Sequence, residues 1–317
     1  MDKSPLITVI TPHYESKTLF CSVDSVLMQS YPNVQYIIVV DGDVGFSPEK
    51  IREYLDSHSR ENVHWSIIAL KENVGTVRAL NAALAETRGD FVFNLADDDV
   101  FMGPEVLSGW TAYMVKSQSV ICTAKRQLIT SNAVGGAQCK PELWEVKKIK
   151  TLTPQELFDD LAVTNYVFGA ATAQSWSSFE TYGFYDESYR LTEDYPRVMK
   201  LLRSGVRLDF FSEEVVCCQS NGVSSPGKIL KLMEENERIF RREILPYCSK
   251  CWRVRLLHWG WKIKTVRYGR FLSKLSCTTK WYSRLALYLI YPENIIRQMK
   301  NSKGVQNGST ESTDKRC

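Results

Sequence analysis

Phe91-Val92-Phe93-Asn94-Leu95-Ala96-Asp97-Asp98-Asp99 decides how this chain is read. A short apolar run ends abruptly in three adjacent carboxylates. Near-continuous apolar runs of this length mark strands buried on both faces. Adjacent carboxylates repel one another unless a cation or exposure relieves them. In open parallel sheets, ligands gather beyond the carboxyl ends of the strands. The stretch therefore predicts a core strand that delivers acids to a ligand site. A hard ion with oxygen ligands, Mn²⁺ or Mg²⁺, suits those acids and keeps positions open for phosphate oxygens. A solvated acidic turn is the alternative that these residues alone leave open.

The same punctuation recurs upstream. Residues 6–10 form an apolar run that predicts a strand ending in a turn at Thr11-Pro12. Leu19, Val23, Val26 and Leu27 then recur at helical spacing, and residues 29–33 stop that helix. Residues 36–40 read as a second strand, broken by Asp41-Gly42-Asp43. A helix over 48–57, a strand over 64–70 and a helix after Gly75 complete a β-α-β-α-β-α-β order. That alternation predicts an α/β fold, a mostly parallel sheet with helices on both faces. Its polar strand ends are Thr11 to Glu15, Asp41 to Asp43 and Asp97 to Asp99. Residues 100–225 are less regular, with strands expected over 206–211 and 215–218. Ile229, Leu232, Met233, Ile239 and Phe240 mark an amphipathic helix after Pro226-Gly227.

Composition sets the class. The 317 residues are 44% hydrophobic and 24% charged, with a formal net charge of +4, an ordinary globular balance. That charge implies no nucleic-acid partner. Between Arg241 and Lys303 the chain carries 15 Lys plus Arg against two acids, interleaved with Trp252, Trp259, Trp261 and Trp281. Bases for headgroups and aromatics for the interface predict contact with an anionic membrane surface; a solvated helical pair is the plainer reading. No run approaches a spanning helix and no secretory signal opens the chain. The expectation is therefore a cytoplasmic protein, peripheral at the inner face of the cell membrane. The nine cysteines have no framework spacing, so reduced thiols are expected. The expected organisation is two halves of one domain over 1–100 and 101–225, a basic aromatic helical extension over 226–300, and a disordered tail over 301–317.

Other chemistries lack their signatures. There is no GxxxxGK[ST] loop and no GxGxxG after the first strand, against a P-loop NTPase or a dinucleotide oxidoreductase. The histidines, at 13, 58, 64 and 258, have no ligand or triad spacing and read as surface or packing residues. A second acidic pair, Glu193-Asp194, precedes Val198, Leu201 and Leu202 at helical spacing, so it lies near a helix start where the dipole favours anions. An N-cap role alone is the competing reading.

Four stretches taken together resemble family 2 glycosyltransferases, whose nucleotide-sugar-binding fold is of GT-A type. They are residues 7–15; residues 25–42; Asn73-Val74-Gly75 through Arg78, Asn81, Gly89 and Asp97-Asp98; and residues 183–187 followed by Glu193-Asp194. The resemblance implies a Rossmann-like mixed sheet flanked by helices, with a nucleotide-sugar-binding half over 1–100 and an acceptor-binding half over 101–225, to which this chain adds its C-terminal helical extension. It implies that Thr11, Pro12, Glu15, Asp41, Asp43, Arg78 and Asp97 line the donor, that Asp98 with Asp97 holds the metal, and that Asp194 is the catalytic base. It places Glu193 and Trp176 toward the acceptor, with a packing role for Trp176 equally open.

The chemistry implied is inverting transfer of one sugar, from a nucleotide-diphosphate donor of UDP type to a hydroxyl of a lipid-linked saccharide acceptor, in surface polysaccharide synthesis. Three departures stand out. Ala96 replaces a frequent Asp, Asp41-Gly42-Asp43 replaces Asp-Asp-Gly-Ser, and Gln219-Ser220-Asn221 stands where many members carry Arg-x-His. Absence of Gln-x-x-Arg-Trp argues against processive synthesis. The competing readings are a nucleotidyltransferase and a non-catalytic sugar-nucleotide-binding protein. Oligomeric state is not legible.

Overall fold

Ile7, Val9 and Ile10 are wholly buried, as are Tyr36, Ile37, Ile38 and Val39. Strands this apolar need cover on both faces, and the following segments supply it. The computed structural model describes residues 4–43, 45–129, 138–219 and 229–249, with 252, 254 and 255. Strand β1 (Ile7–His13), helix α1 (Leu19–Leu27), β2 (Val34–Asp41), α2 (Pro48–His58), β3 (Val63–Leu70), α3 (Thr76–Glu86) and β4 (Phe91–Asn94) follow the expected alternation. Pairings β1–β2, β2–β3 and β1–β4 are all parallel. Helix α1 buries Leu19, Val23, Val26 and Leu27. Pro48 opens α2 behind Ser47, whose side chain accepts from Lys50 N.

The chain continues through β5 (Asp99–Phe101), α4 (Val106–Ser117), β6 (Ile121–Ile129), β7 (Gln138–Lys140), α5 (Leu143–Thr151), α6 (Pro154–Leu161), a 3₁₀ turn (Gly169–Ala171), β8 (Thr172–Ser175), α7 (Trp176–Tyr182), α8 (Asp194–Arg203), β9 (Leu208–Gln219) and α9 (Ile229–Ile239), which runs into a π turn (Phe240–Ile244). Among the described residues the strands form one sheet in the order β3-β2-β1-β4-β8-β6-β9-β5, with β7 on β6. Strand β8 runs antiparallel to both β4 and β6, and β9 is parallel to β6. The sheet is therefore mixed.

Three boundaries differ from the sequence reading. Strand β1 does not turn at Thr11-Pro12 but continues to His13 along β2. Its pairing with β4 stops at Ile10↔Asn94, so Pro12 lies where one side of β1 has no ladder to break. The strands expected over 206–211 and 215–218 are one strand, β9. Exposed Ser212 and Glu213 interrupt its apolar pattern, and a bulge near Lys125 of β6 absorbs the irregularity. Asp99 is not part of an acidic turn. It opens β5 opposite Cys218.

Met1–Tyr247 forms one compact unit and Cys248–Cys317 a second, so the stretch 226–300 divides between them. Most of the basic aromatic segment, including Trp259, Trp261 and Trp281, and the tail lie outside the described residues. No helix among the described residues is long and apolar enough to cross a membrane.

Candidate active site

Strands β1, β2 and β4 end side by side, and their last residues set the geometry. The backbone after β4 is clamped by the start of α1. Ser22 Oγ donates to the Ala96 carbonyl at 3.1 Å and Ser16 Oγ to the Asp97 carbonyl at 3.0 Å. Asp97 Oδ2 accepts from Tyr14 N at 3.3 Å and lies 2.7 Å from His13 Nδ1. Phe46 N donates to His13 Nε2 at 3.1 Å, so the ring proton sits on Nδ1 and points at Asp97. His13 is wholly buried. It is not a packing residue, as the sequence suggested, but a brace that orients a site carboxylate and ties it to the loop before α2.

Asp41, also buried, accepts from Val74 N at 2.7 Å and Gly75 N at 3.0 Å. Two charge-assisted bonds from one carboxylate fix the loop that opens α3. Gly75 is needed there: its φ is +91°, and a Cβ would lie 2.7 Å from the Arg190 carbonyl oxygen.

Asp98 is half-buried between these neighbours. Asp99 is buried, which pushes its carboxyl up to about 7, and the charge of Asp98 adds to the shift. The ligand atoms that Asp97 and Asp98 carry are hard oxygens. Among the described residues no set of three His, Cys, Asp or Glu converges as a closed metal site. One or two carboxylates, with phosphate oxygens and water completing the shell, is how Mg²⁺-type ions commonly bind, and this end of the sheet fits that donor set.

Glu193 and Asp194 approach from the other side. Because β8 is antiparallel to β4, with Phe93 opposite Ala173, the turn Gly169–Ala171 lies at the carboxyl end of β4. Asp194 Oδ2 accepts from Gly169 N at 2.9 Å, and its Oδ1 accepts from Tyr195 N at 2.7 Å. Burial pushes both carboxyls above their ordinary range, and for Glu193 the charge of Asp194 adds to it. Two bonded amides hold Asp194 against that trend. The Arg126 guanidinium on β6 lies 3.4 Å from the Phe168 ring centre, and its Nη1 is 3.9 Å from Cys218 Sγ. Its charge favours the ionised forms of both Asp99 and Asp194. Its Nε is buried with no partner among the described residues. One cation thus faces both acidic groups.

Other expected site residues fall differently. Thr11 is wholly buried and takes the Tyr36 hydroxyl at 3.2 Å, so it faces the core rather than a nucleoside. Pro12 is half-buried beside His13, and Glu15 and Asp43 are exposed on the loops at this end. Arg78, in the first turn of α3, pairs with Glu187 at 3.3 Å. Trp176 is not brought to the site. Its amide donates to the Asp90 carbonyl at the opposite end of β4, and its ring packs against Phe179 and Phe184. Asn81 binds both backbone groups of Tyr185, whose hydroxyl takes Asn94 Nδ2 at 2.8 Å, so that motif position holds the fold. The sequence reading missed His13, although it lies inside the quoted 7–15 stretch, and Arg126, which no local pattern marks.

Known proteins resemble this chain in sequence and fold. The family described as glycosyl transferase family 2 matches residues 8–169. An uncharacterised glycosyltransferase of Rickettsia typhi is 25% identical over 241 residues, 75% of this chain and 71% of the relative. The Escherichia coli protein WfgD is 25% identical over 138 residues, 43% of this chain and 52% of its own. WfgD is named a UDP-Glc:α-D-GlcNAc-diphosphoundecaprenol β-1,3-glucosyltransferase. Among solved structures, residues 1–349 of S. aureus TarS with UDP-GlcNAc superpose with a TM-score of 0.57 at 18% identity, covering 90% of this chain and 80% of that one. The chain spans 46% of the longer TarS structure. The Pyrobaculum calidifontis mannosyltransferase PcManGT, with GDP-Man and Mn²⁺, gives 0.58 at 16% identity, covering 98% and 89%. The fold is the GT-A type.

Proposed function

This chain belongs to glycosyl transferase family 2, and from that premise we propose that it is a metal-dependent, inverting glycosyltransferase that moves one sugar from a UDP-sugar to a saccharide hydroxyl. The observation that carries the reading is the placement of two acidic groups where β4 ends and β8 begins, Asp97-Asp98 just after β4 and Asp194 bonded to Gly169 N just before β8. Asp98 with Asp97 holds Mn²⁺ or Mg²⁺, which supplies charge neutralisation for the departing diphosphate. His13 keeps Asp97 oriented. Asp41 shapes the donor side through the 73–75 loop, with Pro12, Glu15, Asp43 and Arg78 around it. Asp194, fixed by Gly169 N and Tyr195 N, takes the proton of the acceptor hydroxyl as that oxygen attacks the anomeric carbon. One base opposite one leaving group gives direct displacement with inversion. Glu193 sits beside it toward the acceptor.

The acceptor in this reading is lipid-linked and the chain works in surface polysaccharide synthesis, peripheral at the cytoplasmic face of the membrane. Similarity to WfgD and the basic aromatic composition of residues 241–303 support this. Salt-sensitive flotation with anionic liposomes is expected; flotation unaffected by truncation after Leu245 contradicts it. The transfer itself is tested with a panel of UDP-glucose, UDP-GlcNAc and GDP-mannose. A UDP-sugar should raise the melting temperature in Mn²⁺ by mass action and turn over, and EDTA should abolish turnover. Full turnover in chelator removes the metal from the account. Stabilisation without turnover, given a competent acceptor, favours a binding protein instead.

A further inference from the structure

We infer that Glu235 of α9 is a positioning residue, which sets the catalytic pair against the donor side by gripping the backbone that joins them. The inference rests on the transferase reading above. Three consecutive amides converge on the Glu235 carboxylate. Arg190 N donates to Oε1 at 2.6 Å, Leu191 N to Oε1 and Oε2 at 3.1 and 3.0 Å, and Thr192 N to Oε2 at 3.0 Å. The Thr192 hydroxyl adds a bond to Oε2 at 3.1 Å, and Arg238 Nη2 lies 3.6 Å from Oε1. The residue is 3% exposed. A carboxylate is taken out of water at this depth only when it is fully paired, and bonds to a charged acceptor are the strong ones.

The gripped segment has two functional ends. Toward the donor side, the Arg190 carbonyl accepts from Val77 N at 3.2 Å, and Arg190 Nη2 donates to the Asn73 carbonyl at 2.7 Å and to Asn73 Oδ1. That is the loop held independently by Asp41 through Val74 N and Gly75 N. Toward the catalytic side, Thr192 leads directly into Glu193 and Asp194. Residues 190–192 belong to neither a helix nor a strand, so no ladder fixes their amides. Glu235 replaces that ladder from a helix 43–45 residues further along the chain. Loosening this grip leaves the donor loop on Asp41 but frees the start of α8, which carries the base.

The distinguishing readout is a split between kcat and KM. In the full-length protein, Glu235→Gln keeps the side-chain length but sets an NH₂ against donors. With the UDP-sugar that wild type turns over and Mn²⁺, its kcat per folded molecule, counted by nucleotide-binding stoichiometry, should fall by about 10²-fold, the scale of a misplacement near 1 Å. Its donor KM should stay essentially unchanged. Thr192→Val removes one of the bonds and should lower kcat in the same direction by a smaller factor. A lower melting temperature with undiminished kcat in Glu235→Gln overturns the inference, and if that variant does not fold, undiminished kcat in Thr192→Val does so. Asp194→Asn is measured beside them. An inactive Asp194→Asn with normal Glu235→Gln sinks only the role of Glu235. An Asp194→Asn of full activity, or no wild-type turnover on any UDP-sugar, sinks the reading on which it rests.

Discussion

His13 has both ring nitrogens committed, one to Asp97 and one to Phe46 N, so its tautomer and orientation are set by the fold. If Asp97 helps to hold the metal as proposed, a partner of this kind behind it is typically worth 10–100-fold in metal affinity or activity. His13→Ala should therefore raise the Mn²⁺ concentration needed for half-maximal transfer by roughly 10-fold or more; an unchanged Mn²⁺ titration would show that Asp97 is held without it. Glu193 gives a stability prediction. Its folded-state carboxyl is pushed above the ordinary value of 4.5 by burial and by Asp194. Above that value the folded state binds more protons than the unfolded chain, so stability is lost as pH rises. The melting temperature of the free protein should fall from pH 5 toward pH 8, and Glu193→Gln should flatten that fall. Parallel curves for the two proteins would mean that the pair is relieved by solvent.

At the scale of elements, the first half was legible because its strands are continuous apolar runs and its helices keep a 3.6-residue stripe. Residues 36–40 and 91–95 needed no tertiary information to be read as core strands. The second half was legible only in part: α8, α9 and most of β9 were read from pattern, but the strand order was not, for a physical reason. Strand β8 is four residues long and lies between β4 and β6, which precede it in sequence, so its place is set by pairing rather than by pattern. Asp99 reads as part of an acidic turn until β9 pairs with it. Glu193-Asp194 could be found from its neighbours, but Arg126 and Glu235 act through contacts that no spacing announces. The turn at Gly75 is where the halves meet, since the Arg190 carbonyl crowds the position a Cβ would take. Gly75→Ala combines a left-handed φ with overpacking and should cost about 2–4 kcal/mol. Denaturant melts will measure it, and a loss below about 0.5 kcal/mol, the range of neutral surface changes, would mean that the segment yields freely.

Over the whole molecule, β1 to β4 and the later strands β6, β8 and β9 share one sheet, and two acidic groups lie where β4 ends and β8 begins; the proposed function makes the first side the donor side and the second the catalytic side. This arrangement asks a single carboxylate to be the base, and the others to hold the donor and the metal. Steady-state transfer by Asp194→Asn, beside its nucleotide-sugar affinity by calorimetry, tests that division most directly. The substitution keeps the shape and removes the proton acceptor. The account predicts that kcat falls by roughly 10²–10⁴-fold while donor affinity and folding stay near wild type, with Glu193→Gln losing less. Near-normal kcat in Asp194→Asn would contradict it, and would place the base on Glu193 if that neighbour's substitution failed instead.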